Sequence, residues 1–180
     1  MWAFLASDCM FFGTLISTYI IYNGKSLAGP YPLEVLDIPV TTISSFVLLM
    51  SSLLMALTVA AINRQDIKKF RLWIFLTSFF GLIFLGFQSF EFTEFYHQGL
   101  TIQKNLFGST FFTMTGTHGL HVALGVLWLI SWWVYSFFGN MKDKAVDIEV
   151  TGLYWHFVDI VWIVIFTVIY LVEFVGTGGA

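Results

Sequence analysis

Apolar residues in this chain fall into five long runs, and most charges and turn residues lie in the short segments between them. A helix needs about 20 apolar residues to cross the hydrocarbon core of a bilayer, and each run reaches that length. The pattern therefore predicts an all-α bundle of five transmembrane helices. The predicted helices span residues 2–22, 39–62, 70–97, 106–138 and 151–175.

The composition supports a membrane protein with a single helical domain over residues 1–180. The chain is 58% hydrophobic and only 11% charged, too little charge for the surface of a soluble domain. It has no basic run, so no nucleic-acid partner is predicted. The single cysteine, Cys9, excludes a disulfide framework and a thiolate metal site. The first apolar run lacks the basic start and cleavage pattern of a signal peptide.

The distribution of basic residues predicts the orientation of the bundle. Six basic residues would lie on the side of the membrane that holds the N-terminus: Arg64, Lys68, Lys69, Arg71, Lys142 and Lys144. The opposite side would hold only Lys25 and Lys104. Because cytoplasmic loops are enriched in lysine and arginine, the N-terminus is predicted to be cytoplasmic and the C-terminus outside.

Polar residues within the apolar runs are the candidate site residues, because an ionisable group in hydrocarbon is costly unless it faces protein or water. The candidates are Asp8 in the first helix, Gln88, Glu91 and Glu94 in the third, His118 and His121 in the fourth, and His156 and Asp159 in the fifth. Within each of the last three helices they are spaced three apart, which places them on one helix face.

Their depths along the helices predict two polar layers. The inner layer, near the cytoplasmic side, would hold Asp8, His156 and Asp159, and Asp8 is predicted to exchange protons with the other two as supports. The outer layer would hold the remaining candidates, Gln88, Glu91, Glu94, His118 and His121. These are predicted to hold helices three and four together or to line a lipid site. A hairpin about residues 102 and 103 would place Gln88 opposite Thr117, close to His118.

Two alternative functions stay open on the residues alone, a b-type membrane cytochrome and a small proton-coupled transporter. Bis-histidine haem ligation needs histidines on different helices at one depth. His118 and His121 share a helix, and His97 lies at the membrane edge, so no haem is predicted. Glu91 and Glu94 with these histidines have the chemistry of metal ligands, but their spacing is not specific and no metal is predicted. The lack of an internal repeat weighs against a transporter.

Four segments in chain order resemble subunit III of the haem–copper terminal oxidases, which include cytochrome c oxidases and quinol oxidases. They are FLASDCMFFG, QSFEFTEF, GSTFFTMTGTHGLHVALG and YWHFVDIVWI. The chain resembles the five-helix bacterial form of that family. The resemblance implies a bacterial plasma-membrane protein that holds no haem or copper itself. It would pack against subunit I, which holds the redox centres, in a complex with subunits II and IV.

The same resemblance implies a supporting role in aerobic respiration. The complex would reduce O2 with electrons from cytochrome c or a quinol and pump protons, while this non-catalytic chain binds phospholipid and supports proton uptake and the stability of subunit I. Asp8 stands where the family often has glutamate, and Ser7-Asp8-Cys9 is similar to quinol-oxidising members. Short relatives associated with nitric oxide reductases are a further possibility that the resemblance leaves open.

Overall fold

The structure, a computed structural model, describes residues 1–22, 38–97, 106–139, 141 and 143–171, and in this part of the chain it has no strands. Its long helices are α1 (Trp2–Tyr22), α2 (Ile38–Asn63), α3 (Ile67–His97), α4 (Leu106–Phe138) and α5 (Ala145–Phe166). A π-helical turn, Thr167–Leu171, continues α5. Each of the five has the length and apolar character to cross a membrane, which confirms the predicted fold class.

Helix α3 begins at Ile67, before the predicted residue 70, because Asp66 caps it. The Asp66 carboxyl accepts a hydrogen bond from the backbone N–H of Lys69 at 3.2 Å, which satisfies a donor at the start of the helix. This bond, together with the Lys69 ammonium, holds the pKa of the exposed Asp66 carboxyl below its usual range. The preceding Gln65 has a φ of 56°, which turns the chain sharply between α2 and α3.

Helix α5 also begins earlier than predicted, at Ala145 rather than residue 151. Asp147 lies in its first turn, where a carboxylate is stabilised by the positive end of the helix dipole. Lys144 Nζ pairs with this carboxylate at 3.0 Å, which raises the pKa of the lysine. Charges predicted to belong to a loop therefore form the exposed start of a helix. The predicted end at residue 175 lies outside the described residues.

The other helices match their predicted bounds closely. Helices α1 and α4 have the predicted ends, and α2 is longer by one residue at each end. Residues 23–37 of the predicted first loop (23–38), the segment 98–105 between α3 and α4, and residues 172–180 lie outside the described residues, as does the side chain of His97.

Four helices close a ring, and the fifth packs against its outside. Helix α2 packs on α3, α3 on α4, α4 on α5, and α5 back on α2, while α1 lies along α4 with a smaller contact to α5. Accordingly, α5 buries the largest share of its apolar stretch and α1 the smallest. The core lies inside this ring. Polar side chains in the middle of α5 therefore face other helices.

Trp155 of α5 occupies the centre of the ring and is only 1% exposed. Its indole lies against two glycines: a Cβ at Gly81 of α3 would be 2.7 Å from Trp155 Cη2, and a Cβ at Gly125 of α4 would be 2.9 Å from Cζ3. Its Nε1 donates to the Ser51 hydroxyl of α2 at 3.0 Å. The two glycines thus provide the space in which one large side chain joins all four ring helices.

Helices α3 and α4 pack as the predicted antiparallel pair. Gln88 Nε2 donates to the carbonyl of Thr115 at 2.7 Å, two residues from the predicted partner, Thr117. At the other end, Arg71 Nε donates to the hydroxyl of Ser136 at 3.1 Å, and its guanidinium lies 4.4 Å from the centre of the Phe137 ring. The two contacts fix the register that the hairpin prediction requires.

Candidate functional site

His118 of α4 is fully buried between α3 and α5. Its Nε2 lies 3.2 Å from the carbonyl oxygen of Val158. A carbonyl oxygen can only accept, so Nε2 carries the hydrogen and Nδ1 holds a lone pair. Nδ1 is buried and has no hydrogen-bond partner in the described part of the chain, which favours the neutral ring. The imidazole lies 4.8 Å from the Trp162 ring and meets Phe84 edge-on at 5.8 Å between centroids.

His121, one turn further along α4, faces α1 instead. Its Nδ1 is 2.8 Å from the carbonyl oxygen of Thr117, so this nitrogen carries a hydrogen. Its Nε2 lies 3.5 Å from Asp8 Oδ2, and the two side chains are only 16% and 13% exposed. The two groups are in contact but not hydrogen-bonded, since Asp8 Oδ2 makes no hydrogen bond to the described residues. Asp8 and His121 therefore form a partly buried pair of ionisable side chains that joins α1 to α4.

Hydroxyl groups of α2 hold the polar residues of α5. The Trp162 indole donates to Ser45 at 2.9 Å, just as Trp155 does to Ser51. The hydroxyl of Ser52 lies 2.6 Å from Nδ1 of His156. Three side chains of α5, spread over about two turns, are thus bonded to α2.

Asp159 of α5 lies beside this hydroxyl row and is 3% exposed. Neither of its carboxyl oxygens makes a hydrogen bond to the described residues. Among those residues, no lysine, arginine or histidine nitrogen lies within ion-pairing distance of it. Asp159 is therefore a deeply buried acid without a countercharge in the described part of the bundle.

The polar residues of α3 have separate surroundings. Gln88 is buried against α4, as described above, and Glu91, also buried, accepts a hydrogen bond from the hydroxyl of Thr41 in α2. Glu94 is exposed on the bundle surface. The α3 residues therefore do not form one cluster with the α4 histidines.

The predicted division into two layers is wrong. Asp8, assigned to the inner layer, contacts His121, assigned to the outer one. His118, assigned to the outer layer, is hydrogen-bonded to the carbonyl of Val158. Val158 is the neighbour of Asp159, which was assigned to the inner layer. Both histidines lie near the middle of the 33-residue α4, and their contacts place them level with the polar residues of α1 and α5.

Two predicted pairings change in consequence. Asp8 is paired with His121 rather than with His156, whose Nδ1 instead faces Ser52. The histidines of α4, predicted to join α3, form their polar contacts with α5 and α1. Among the outer-layer candidates, Gln88 joins α3 to α4 through its hydrogen bond to the carbonyl of Thr115. The charged and polar candidates thus make separate contacts at several places around the ring of helices, and we call them together the polar belt.

No three histidine, cysteine, aspartate or glutamate side chains in the described ranges are close enough together to hold a metal ion. The predicted ligand candidates are separated by their contacts, since Glu91 is bonded to α2 and His121 is paired with α1. The chemistry that the belt can support is proton binding and hydrogen bonding.

Sequence reasoning missed the residues that complete this belt. Ser52 was not among the candidates, and neither was Tyr154, which donates its hydroxyl to the carbonyl of His121 at 2.9 Å. A signal was available in the spacing. Ser45 and Ser51 are six residues apart in α2, and their partners Trp162 and Trp155 are seven residues apart in α5, so matching faces of antiparallel helices could have been paired.

Comparison with known proteins gives consistent matches over nearly the whole chain. The family model for cytochrome c oxidase subunit III matches residues 1–174. A probable quinol oxidase subunit 3 from Staphylococcus saprophyticus is 35% identical over 179 residues, which cover 98% of this chain and 89% of the relative. Cytochrome c oxidase subunit 3 from Bacillus sp. (strain PS3) is 37% identical over 176 residues, 97% of this chain and 85% of the relative. Neither match supports the alternatives of a b-type cytochrome or a transporter.

Proposed function

The chain belongs to the cytochrome c oxidase subunit III family, and we propose that it braces the redox-active subunit of a haem–copper terminal oxidase. It is a multi-pass membrane protein and a non-catalytic subunit of a respiratory enzyme complex that reduces O2 with electrons from cytochrome c or a quinol. The observation that supports a bracing role is the set of hydrogen bonds that join the helices, in which Trp155 and Trp162 of α5 donate to serines of α2 and Gln88 of α3 donates to α4.

The direct partner in this proposal is subunit I, which carries the haem and copper, with subunits II and IV in the same complex. A tagged version of this chain, purified in mild detergent, should bring with it a larger chain that contains haem and copper. When stronger detergent removes the tagged chain, the haem absorbance should stay with the larger subunit. Haem absorbance that follows the tagged chain, or a functional chain without any oxidase partner, would refute the proposal.

The proposed location is the bacterial plasma membrane, with the N-terminus in the cytoplasm and the C-terminus outside. Basic residues support this orientation, since Arg64, Lys68, Lys69, Arg71 and Lys144 lie at the end of the bundle that also holds the start of α1. Cytoplasmic segments are enriched in such residues. Labelling of a cysteine introduced at Asp143 by an impermeant thiol reagent should then require permeabilised cells.

A bound phospholipid is part of the proposal. Helices α2 and α3 form an apolar groove of about 490 Å³, lined by Val40, Ile83, Gly86, Phe87 and Phe90. A groove of this kind fits an acyl chain, because its walls provide van der Waals contact and no polar partners. Lipid analysis of the purified complex, with and without Gly86→Phe, would test this site, since the new side chain would fill the groove. Equal lipid content in both samples would contradict it.

We propose that Asp8 exchanges protons on the cytoplasmic side, with His121 as its immediate partner. The pair is enclosed but not sealed, since both side chains keep a small exposed fraction. A proton can therefore reach the Asp8 carboxyl from outside the bundle. The predicted supports, His156 and Asp159, lie on α5 apart from this pair, and the Nδ1 of His156 contacts the hydroxyl of Ser52.

Asp8→Asn should lower the turnover or the working lifetime of the assembled oxidase by about tenfold, the effect of ~1.4 kcal/mol on a barrier, and should also lower the pumping ratio. An amide keeps the shape of the side chain but cannot bind or release a proton as a carboxyl group does. Asp8→Glu should retain most of the activity, and Asp143→Asn, at an exposed loop carboxylate, should change nothing. If all three properties are unchanged in Asp8→Asn, Asp8 has no proton role.

A further inference from the structure

Arg71, in the second turn of α3, is a cation held in place without a countercharge in the described part of the chain. Its Nε donates to the hydroxyl of Ser136 in α4 at 3.1 Å, and its Nη2 donates to the Ser136 carbonyl. The guanidinium carbon lies 4.4 Å from the centre of the Phe137 ring. Among the described residues, no carboxylate oxygen lies within ion-pairing distance of it. Because arginine stays protonated, the site carries one uncompensated positive charge.

Three of the five guanidinium hydrogens are left for a ligand. The bonds to Ser136 use the hydrogen on Nε and one on Nη2, which leaves one on Nη2 and both on Nη1. Arg71 is partly exposed, and none of its nitrogens is among the enclosed polar atoms that lack a partner, so these donors are accessible from outside. A planar fork of N–H donors matches the oxygen atoms of a phosphate group.

An aromatic surface continues from this cation towards the middle of the membrane. The Trp133 ring lies 5.1 Å from the Phe137 ring, Phe75 lies 5.5 Å from Trp133, and Phe79 lies 6.3 Å from Phe75. The three phenylalanines are each about half exposed. We call these four residues the aromatic ladder. Phe75 and Phe79 follow Arg71 at intervals of four, on the same face of α3, so the surface extends for about 12 Å along the helix.

The length of α3 places the cation at the depth of lipid headgroups. Its 31 residues span about 46 Å, so a helix centred on a hydrocarbon core of about 30 Å extends about 8 Å beyond it at each end. Arg71 is four residues from Ile67, the first residue of the helix, which is about 6 Å along the axis. The guanidinium therefore lies near the edge of the hydrocarbon, with the aromatic ladder within it.

We propose that Arg71 binds the phosphate of an anionic phospholipid in the cytoplasmic leaflet, and that an acyl chain of this lipid lies along the aromatic ladder. A cation at the headgroup end of an apolar surface matches the shape and charge of such a lipid. Lys68, exposed and three residues before Arg71, adds positive charge to the same helix face. A headgroup with a net negative charge therefore binds better than a zwitterionic one.

This lipid site rests on the proposed function for the leaflet in which it lies, and it is separate from the apolar groove between α2 and α3. Its test measures bound lipid, whereas the test of the subunit assignment follows haem in a co-purified chain. A failure of one therefore leaves the other result unaffected.

Lipid binding to the purified complex, after removal of its own lipid, tests the role of Arg71. Arg71→Gln should weaken the binding of phosphatidylglycerol by about tenfold, because charged hydrogen bonds are lost. It should leave the binding of phosphatidylcholine nearly unchanged. Arg71→Lys should give an intermediate affinity, since the charge stays but the fork of donors is lost. Arg64→Gln, at an exposed cation near the end of α2, is the control. Equal affinities for phosphatidylglycerol in Arg71→Gln and Arg64→Gln would overturn the proposal.

A competition measurement distinguishes a lipid from a free anion. Inorganic phosphate at millimolar concentration should not displace phosphatidylglycerol from the wild-type complex, because phosphate makes no contact with the aromatic ladder. Displacement at that concentration would show a site for small anions and would contradict the lipid.

Photochemical cross-linking covers the case in which Arg71→Gln does not assemble. A benzophenone amino acid in place of Phe79, with Arg71 intact, should cross-link phosphatidylglycerol in excess over an equal amount of phosphatidylcholine. The same group in place of Leu127, which is 64% exposed on α4, should show no such preference. Equal yields of the two lipids at residue 79, or cross-linking there to a neighbouring polypeptide instead of lipid, would refute the site.

Discussion

Trp155→Ala is expected to destabilise the bundle by about 3–5 kcal/mol, the largest loss we expect from a single substitution. The indole is 1% exposed, lies against Gly81 of α3 and Gly125 of α4, and donates a hydrogen bond to Ser51 of α2. Between helices in a bilayer, association depends on van der Waals packing and hydrogen bonds, since lipid is as apolar as the core. Removal of this side chain opens a cavity where four helices meet.

Thermal unfolding of the purified complex, followed by the loss of this chain from it, measures the effect. Trp2→Ala is the matched control, because Trp2 is 76% exposed at the start of α1. Trp155→Phe should fall between the two, since a phenyl ring fills part of the space but cannot donate to Ser51. Equal stability of Trp155→Ala and Trp2→Ala would contradict the central role of this residue.

His118→Ala is expected to cost about 2–4 kcal/mol, combining the cavity left by a buried ring with the loss of a buried hydrogen bond. The ring is 0% exposed, packs against Trp162 and Phe84, and bonds to the carbonyl of Val158. The substitution should loosen α5 from α4. The same unfolding measurement, together with the fraction of this chain retained in the complex, tests it.

Two further variants separate packing from hydrogen bonding at His118. Leu120→Ala, on the same helix with a side chain 58% exposed, should have little effect. His118→Phe retains most of the volume and should lose about 1 kcal/mol through the missing bond. If His118→Ala assembled and unfolded like wild type, this histidine would have no structural role.

The helices were predictable because length and apolar content are local properties. The ends of α1 and α4 were predicted as they occur, since both runs stop abruptly. The starts of α3 and α5 were missed because polar residues there do not end the helix. Asp66 caps one, and Asp147 stabilises the first turn of the other. Both signals are present in the sequence and were interpreted as loop.

The candidate site residues were also identifiable, because a polar side chain within an apolar run is visible without any knowledge of packing. The residues that they contact could not be identified in this way. Asp8 was expected beside His156, yet α1 lies along α4 and brings Asp8 to His121. Depth along a helix follows from counting residues, but the direction of a side chain depends on which helix is next to it.

What the sequence determined by itself is the class of protein: five membrane-spanning helices, a set of buried polar residues, and the motifs of a terminal oxidase subunit III. These depend on residue type and order alone. What only the tertiary structure decided is the pairing of those residues, above all Ser52 with His156 and Asp8 with His121. The closed order of α2 to α5 sets which helix faces meet, and that order arises from contacts between residues more than a hundred positions apart.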